Sequence, residues 1–125
     1  MIDFTVLGTP ISQGSMKVIN GHIIHNKGKE LTAWRSAIAL SAKRAGARPE
    51  RNPVAINLIF MQLRPKTVKR PEPSVPPDLD KLIRAVLDAL TSVAYVDDGQ
   101  VTEIYSRKVY GVIAGLKVQI KYKEV

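Results

Sequence analysis

The apolar positions in residues 79–90 recur with the spacing of an amphipathic α-helix. In this stretch, LDKLIRAVLDAL, they lie at positions 79, 82, 83, 86, 87 and 90, and charged residues line the opposite side. Residues 30–45 show the same period, and Gly46 and Pro49 after them are typical helix stop signals. The chain is therefore predicted to contain two main helices.

Other segments have patterns that are typical of β-strands. Residues 116–122 alternate strictly between apolar and polar side chains, and residues 54–63 form a continuous apolar and β-branched run that is typical of a central strand. Asn20 and Gly21 lie between two apolar pieces, which predicts a two-residue hairpin. Further strands are predicted at residues 2–8 and 101–110.

This order of elements predicts an α+β fold. We expect a two-layer α/β sandwich in which a mixed β-sheet carries the two main helices on one face. With 125 residues, of which 45% are hydrophobic, the chain is long enough to bury a core, and we expect a single domain over residues 1–125.

The composition limits the classes of partner and chemistry. The chain has 19 Lys and Arg against 11 Asp and Glu, for a net charge of +8, which favours nucleic acid first and an acidic membrane surface second. A basic protein without such a partner is the alternative. The chain has no cysteine, which excludes disulfides and thiolate zinc sites. Residues 54–63 are too short to cross a bilayer, and residues 1–8 lack the layout of a secretory signal, so we expect a cytoplasmic protein with no membrane partner.

The charges are segregated along the chain. Residues 78–103, called here the acidic segment, hold six acidic and two basic residues for a net charge of −4, whereas the remainder has a net charge of +12. A nucleic-acid-binding surface would be repelled by such a patch unless the patch held cations. Mg²⁺ prefers oxygen ligands and is commonly held by one or two carboxylates together with substrate phosphate. The segregation therefore indicates a metal site.

The position of Asp78 and Asp80 suits such a site only if the helix begins between them. Residues i and i+2 of a helix point about 200° apart. In an extended chain they point the same way. Pro76 and Pro77 favour an extended approach, so both carboxylates can converge at the positive end of the helix.

Simpler explanations exist for each acidic pair. An aspartate just before a helix is a common cap, and Asp97-Asp98-Gly99 is an ordinary turn sequence. Asp88 lies four residues after Arg84 and is expected to form a solvated ion pair with it. The combination of both pairs, and not either pair alone, favours the metal site.

The acidic segment also resembles a known family. DLDKLIRAVLDAL followed by VDDGQV is similar to the signature of the RusA family of Holliday junction resolvases, small endonucleases of phages and prophages. The resemblance is specific over residues 77–103 and only architectural elsewhere. It implies a homodimer whose subunits each carry a Mg²⁺ or Mn²⁺ site and nick one of two symmetry-related strands of a four-way DNA junction.

The resemblance also assigns residues. It implies that Asp78, Asp80 and Asp98 are the essential carboxylates and metal ligands, with Asp97 as a plausible helper. The family's functional lysine in the next helical turn corresponds to Arg84, which keeps the charge but does not serve as a proton donor. Many members have Asn where this chain has Lys81. We expect the three essential carboxylates to approach one another closely enough to share an ion.

The predicted function is metal-dependent, paired hydrolysis of phosphodiester bonds in branched DNA. Basic residues are expected to bind phosphates without reading sequence. These are Lys27, Lys29, Lys66, Lys69, Arg70 and Lys81. Two alternatives remain: an endonuclease for forks or flaps, and a non-catalytic DNA-binding protein in which the aspartates are caps and turns.

Overall fold

A mixed β-sheet and two helices form the main body of the protein in the computed structural model. The structure describes residues 1–14, 16–25 and 28–125. Its elements are β1 (Ile2–Leu7), β2 (Met16–Ile19), β3 (His22–His25), α1 (Gly28–Arg44), β4 (Val54–Leu63), α2 (Leu79–Leu90), a 3₁₀ turn (Asp98–Gln100), β5 (Val101–Gly111) and β6 (Gly115–Tyr122). Every predicted helix and strand is present, and the ends differ by two residues at most.

The sheet has the strand order β1-β6-β4-β5. β6 pairs antiparallel with both β1 and β4, whereas β5 pairs parallel with β4. Parallel neighbours need a crossover connection, and α2 supplies it. α2 therefore begins near the carboxyl ends of β4 and β5 and ends near their starts. β1 and β5 form the two edges of the sheet.

One face of the sheet is covered by the helices, as predicted. The inward side chains of β6 alternate with outward polar ones, and the outward Lys117, Gln119 and Lys121 are exposed. The core is a single cluster of buried residues that includes Leu58 and Phe60 of β4. On α2 the buried side includes Ala85 and Ala89 as well as Leu82, Val86 and Leu90 of the predicted stripe. Small side chains at these positions allow close packing of the helix.

The predicted hairpin is also present, as a separate two-stranded sheet of β2 and β3. Asn20 and Gly21 have φ values of 51° and 78°. Positive φ at both central residues is the geometry of a type I′ turn, which matches the twist of the flanking strands and favours Asn-Gly. The sequence signal and the backbone conformation therefore agree.

Candidate active site

The start of α2 presents Asp78 and Asp80 to solvent. Asp78 is the residue that precedes the helix, and its φ of −68° and ψ of 140° are extended. The helix thus begins between the two aspartates, which is the arrangement that a shared ion requires. The Asp78 side chain makes no capping hydrogen bond. The cap explanation therefore does not account for this carboxylate.

The two carboxylates have few partners within the protein. Asp78 Oδ2 lies 3.7 Å from Lys81 Nζ, in an ion pair whose side chains are both well exposed. Asp80 is exposed, and its carboxylate makes no hydrogen bond or ion pair with the described part of the chain. Exposed pairs of this kind contribute little to stability. Both carboxylates are thus available to a ligand.

Lys108 fixes the approach of the chain to Asp78. Its Nζ donates hydrogen bonds to the carbonyl oxygens of Val75 (2.8 Å) and Pro77 (2.9 Å). Lys108 pairs in register with the buried Phe60, so it lies on the side of the sheet that faces the helices. Sequence reasoning missed this residue, although a lysine at a helix-facing strand position is itself a usable signal.

Replacing Lys108 by methionine is expected to lower the free energy of unfolding by about 1–3 kcal/mol, because two carbonyl groups lose a charged donor. The position of the Asp78 carboxylate should also become less fixed, since the segment that carries it loses its anchor. Chemical denaturation measures the first effect. Lys117→Met, on an exposed position of β6, is the matched control and should change stability by less than about 0.5 kcal/mol. Equal stability of the two variants would contradict the anchoring role.

A segment near the chain start, residues 9–14, packs against α2 beside this site. The backbone N–H of Gln13 donates to the carbonyl oxygen of Lys81 (3.0 Å). The Gln13 amide accepts from Arg35 Nη1 (3.0 Å) and donates to Asp88 Oδ2. One side chain thus connects a cation on α1 with an anion on α2. The expected Arg84–Asp88 ion pair is absent from the described residues, because Asp88 binds Gln13 instead.

Arg84, the expected phosphate-binding residue, lies against the same segment. A Cβ atom at Gly14 would be 3.0 Å from Arg84 Nη1, and Gly14 has a φ of +98°. Only glycine adopts this conformation without strain. Because Gly14 has no side chain, the Arg84 guanidinium can approach the backbone closely. Arg84 is exposed and its charge is accessible.

A cleft of about 640 Å³ opens next to Asp78. Its walls are residues 9–12, residues 76–78, the end of β4, Lys81 and Ala114. A volume of this size is typical of a ligand pocket. The cleft therefore gives a substrate group direct access to the Asp78 carboxylate.

The second acidic pair lies in the 3₁₀ turn before β5, and its two members differ. Asp97 Oδ2 accepts a hydrogen bond from Gly99 N (2.9 Å), while the Gln100 side chain accepts one from Asp97 N (3.0 Å), which together form a capping box. A Cβ at Gly99 would lie 2.6 Å from Asp97 Oδ2, so a side chain here would require the Asp97 carboxylate to move. Asp98 is exposed, and its carboxylate makes no hydrogen bond within the described residues. The turn explanation thus applies to Asp97 and leaves Asp98 available.

Tyr95 connects the end of α2 with this turn. It is fully buried, and its hydroxyl donates to the carbonyl oxygen of Leu87 (2.6 Å). Burial raises the pKa of the Tyr95 hydroxyl far above its usual range, and the negative charges of Asp98, Asp88 and Asp97 raise it further. Tyr95 therefore stays a neutral donor, and the three carboxylates lie close enough to act on it.

The two acidic pairs lie at opposite ends of α2. Asp78 and Asp80 are at its start, next to the carboxyl end of β4, whereas Gln100 of the acidic turn binds the carbonyls of Glu50 and Asn52 before the start of β4. The 12 residues of α2 alone span about 18 Å. Among the described residues no group of three His, Asp or Glu is close enough to hold a metal ion. The expected approach of Asp78, Asp80 and Asp98 thus does not occur within one chain.

The predicted phosphate-binding residues occupy several surfaces. Lys29, Lys66 and Lys69 are exposed, and Lys81 lies in the ion pair with Asp78. Arg70 is only half-exposed, and its guanidinium stacks over the ring of Tyr110 at 5.9 Å from the centroid. Lys27 lies outside the described residues. A role in DNA binding stays a prediction for all of them.

No helix in the described part of the chain has the length and hydrophobicity needed to cross a membrane.

Most of the chain is similar in sequence to known proteins. The family model described as "Endodeoxyribonuclease RusA" matches residues 8–121. A protein of Bacillus subtilis (strain 168), "Uncharacterized protein YqaN", is 29% identical over 137 aligned positions, which cover 96% of this chain and 95% of that protein. The two acidic pairs, the cleft, residues 9–14 and β5 all lie within the matched residues.

Proposed function

Because this chain belongs to the RusA family of endodeoxyribonucleases, we propose that it cleaves four-way DNA junctions as a homodimer that depends on a divalent metal ion. The family acts on branched DNA. In this proposal the cleavage requires the metal ion and the homodimer. It serves recombination and repair in the cytoplasm of a bacterial or phage-infected cell.

The observation that supports the proposal most strongly is the arrangement at the start of α2. Asp78 and Asp80 flank the first residue of the helix, both are exposed, and the Asp78 carboxylate is not used as a cap. Two carboxylates at a helix N-terminus form a hard oxygen donor set, which fits Mg²⁺ or Mn²⁺. The carboxylate oxygens of these two residues are thus suitable ligands for such an ion, and one chain provides part of the ligand set.

A two-fold dimer provides the missing part. In a symmetric dimer whose α2 helices run antiparallel, Asp78 and Asp80 of one chain lie beside Asp98 of the other. Both sites of the dimer are then complete and identical. This arrangement fits a substrate in which two symmetry-related strands are cut.

Each group has a distinct role in the proposed reaction. A bound divalent ion supplies positive charge that polarises the scissile phosphate and activates a water nucleophile. Asp78, Asp80 and Asp98 provide the ligands, and Asp97 keeps Asp98 in place through its capped turn. Arg84 is permanently charged and stabilises negative charge on the phosphate. The exposed lysines Lys66 and Lys69 hold the flanking backbone.

Cleavage of synthetic DNA tests this function. We expect paired nicks near the centre of a four-way junction in the presence of Mg²⁺ or Mn²⁺, no cleavage in EDTA, and at least about 100-fold slower cleavage of linear duplex, a difference of about 2.7 kcal/mol in activation free energy. Fork and flap substrates of the same sequence are the matched comparison. Faster cleavage of forks or flaps would move the working substrate to those structures. Metal-independent binding without cleavage of any substrate would show a DNA-binding protein.

A further inference from the structure

The cleft beside Asp78 has a charged end and an uncharged remainder. Among the described residues that line it, the charged ones are Asp78 and Lys81, and both lie in or directly before the first turn of α2. Its apolar lining consists of proline rings and aliphatic side chains, namely Pro10, Ile11, Leu63, Pro76, Pro77 and Ala114. A surface that only follows phosphates would be basic along its length. The apolar part of the cleft therefore suits a different part of a nucleotide.

Gln62 adds an unused polar group to this lining. It lies two residues after the buried Phe60 in β4, so its side chain is on the face of the sheet that carries the helices, where the cleft opens. Gln62 is half-buried, and its side chain makes no hydrogen bond within the described part of the chain. A side-chain amide offers two donors and an acceptor, so it can pair with both kinds of group on the edge of a nucleobase.

Hydrogen bonds hold the walls of the cleft in place. Gly8 N donates to the carbonyl oxygen of Ala114 (3.1 Å), and Gln13 N donates to that of Lys81 (3.0 Å), so the segment between Gly8 and Gln13 is fixed at both ends. The wall that precedes α2 is held by Lys108. The cleft is therefore formed before a ligand arrives, which is typical of binding sites for small groups.

The position of the cleft limits what can enter it. In the proposed function an ion at Asp78 binds the scissile phosphate, and the nucleosides on either side of that phosphate then lie next to the cleft. A nucleobase has flat apolar faces and an edge of hydrogen-bonding groups, so its faces suit the proline rings and its edge suits Gln62. A volume of about 640 Å³ is large enough to hold it. An unstacked base thus fits the cleft in size, shape and polarity.

Branched DNA lowers the cost of placing a base in the cleft. A base must leave the stack of its neighbours to enter, and this costs least where pairing or stacking is already weakened. The branch point of a junction is such a place, whereas the interior of a linear duplex is not. Capture of a base would therefore favour branched over linear DNA.

We propose that the cleft binds one unstacked nucleobase next to the cleaved phosphate, with Gln62 hydrogen-bonded to the edge of that base. The inference rests on the proposed function, because it specifies how the DNA substrate of that function is held.

Fluorescence of 2-aminopurine tests the cleft without metal and without cleavage. Stacking on neighbouring bases quenches this base analogue, whereas proline and aliphatic side chains do not. A set of four-way junctions carries it at each nucleotide around the branch point in turn and, as the matched control, in the middle of an arm. Binding in EDTA is expected to raise the emission roughly threefold or more at one position near the branch point and to leave the arm position unchanged. No rise at any position near the branch point would overturn the inference.

Gln62→Leu tests whether the responding base lies in the cleft. Leucine keeps the approximate size of the side chain but removes the amide, so the emission rise should fall and the junction affinity should drop roughly tenfold. Gln119→Leu, on the exposed face of β6, is the matched control and should keep both values, with thermal melts of the two variants equal to wild type. An unchanged emission rise in Gln62→Leu would overturn the inference.

An abasic nucleotide at the responding position gives a second readout that needs no change in the protein. Removal of this base should weaken binding by the wild type roughly tenfold, because its stacking and hydrogen bonds are lost. The same removal should cost Gln62→Leu clearly less, since part of the contact is already absent. Equal losses in the two proteins would place the base outside the cleft.

The outcomes distinguish this inference from the proposed function. Cleavage of junctions in Mg²⁺ without any emission rise would overturn the base site and leave the proposed function intact. An emission rise that depends on Gln62, without cleavage in Mg²⁺, would support the base site and contradict the nuclease activity.

Discussion

Asp80→Asn is expected to lower the rate of four-way junction cleavage by at least about 100-fold, a loss of about 2.7 kcal/mol of transition-state stabilisation. A neutral amide is a poor ligand for a hard cation, so metal affinity should fall while the side-chain shape is nearly kept. Binding of the junction without metal should persist or tighten, because one negative charge near the phosphates is removed. Cleavage kinetics and metal-free binding titrations measure the two effects separately.

The controls for this variant come from the same helix and from the basic loop. Asp88→Asn removes an equal charge from α2, but this side chain is held by Gln13 and not open to a ligand, and the amide oxygen of asparagine can still accept the Gln13 hydrogen bond, so its cleavage rate should stay within a few-fold of wild type. The double variant Lys66→Ala/Lys69→Ala should instead weaken metal-free binding of the junction. It should also lower the salt dependence of that binding by up to about two counterion equivalents. Normal cleavage by Asp80→Asn would remove this residue from the metal site. Loss of its metal-free binding would make it a structural residue.

Mixed dimers of two inactive variants should recover strand nicking. Asp80→Asn and Asp98→Asn homodimers each carry one lesion in both sites and are expected to be inactive. In a mixed dimer with shared sites, one site receives both lesions and the other receives none. The mixture should therefore nick one strand of the junction, with roughly half of the chains in mixed dimers if the subunits assort at random.

The pattern of products makes this experiment decisive. Restored activity should be nicking without paired resolution, because only one site per dimer is intact. Sites built within one chain predict instead that every site in the mixed dimer has one lesion and that no activity returns. Asp80→Asn mixed with Asp78→Asn is the matched control, since both lesions lie on the same half of the site and no mixed dimer has an intact site.

Much of the fold could be predicted because its signals are local. The prolines before Asp78 keep the chain extended and the apolar period starts at Leu79, so the helix boundary between Asp78 and Asp80 follows from the sequence. The Asn20-Gly21 turn and the alternation in residues 116–122 are equally local, and both predictions were confirmed.

The rest depends on contacts between distant parts of the chain. The parallel pairing of β4 and β5 orients α2 so that its two ends carry separate acidic pairs, and no local pattern fixes strand order. The contact between Gln13 and Asp88 joins residues 75 positions apart, which is why the ion pair of Asp88 with Arg84 was wrongly expected. The metal-site roles of Asp78, Asp80, Asp97 and Asp98 stay predictions.

In the proposed dimer, the length of α2 helps to set the distance between the two active centres. The helix separates the two acidic half-sites of one chain, and each half-site belongs to a different active centre. The distance between the two cut phosphates is then set in part by the length of α2 from Asp80 to Leu90. Intrahelical hydrogen bonds keep α2 rigid, so the separation of the two active centres is nearly constant. The dimer therefore favours substrates whose two target phosphates have the same separation.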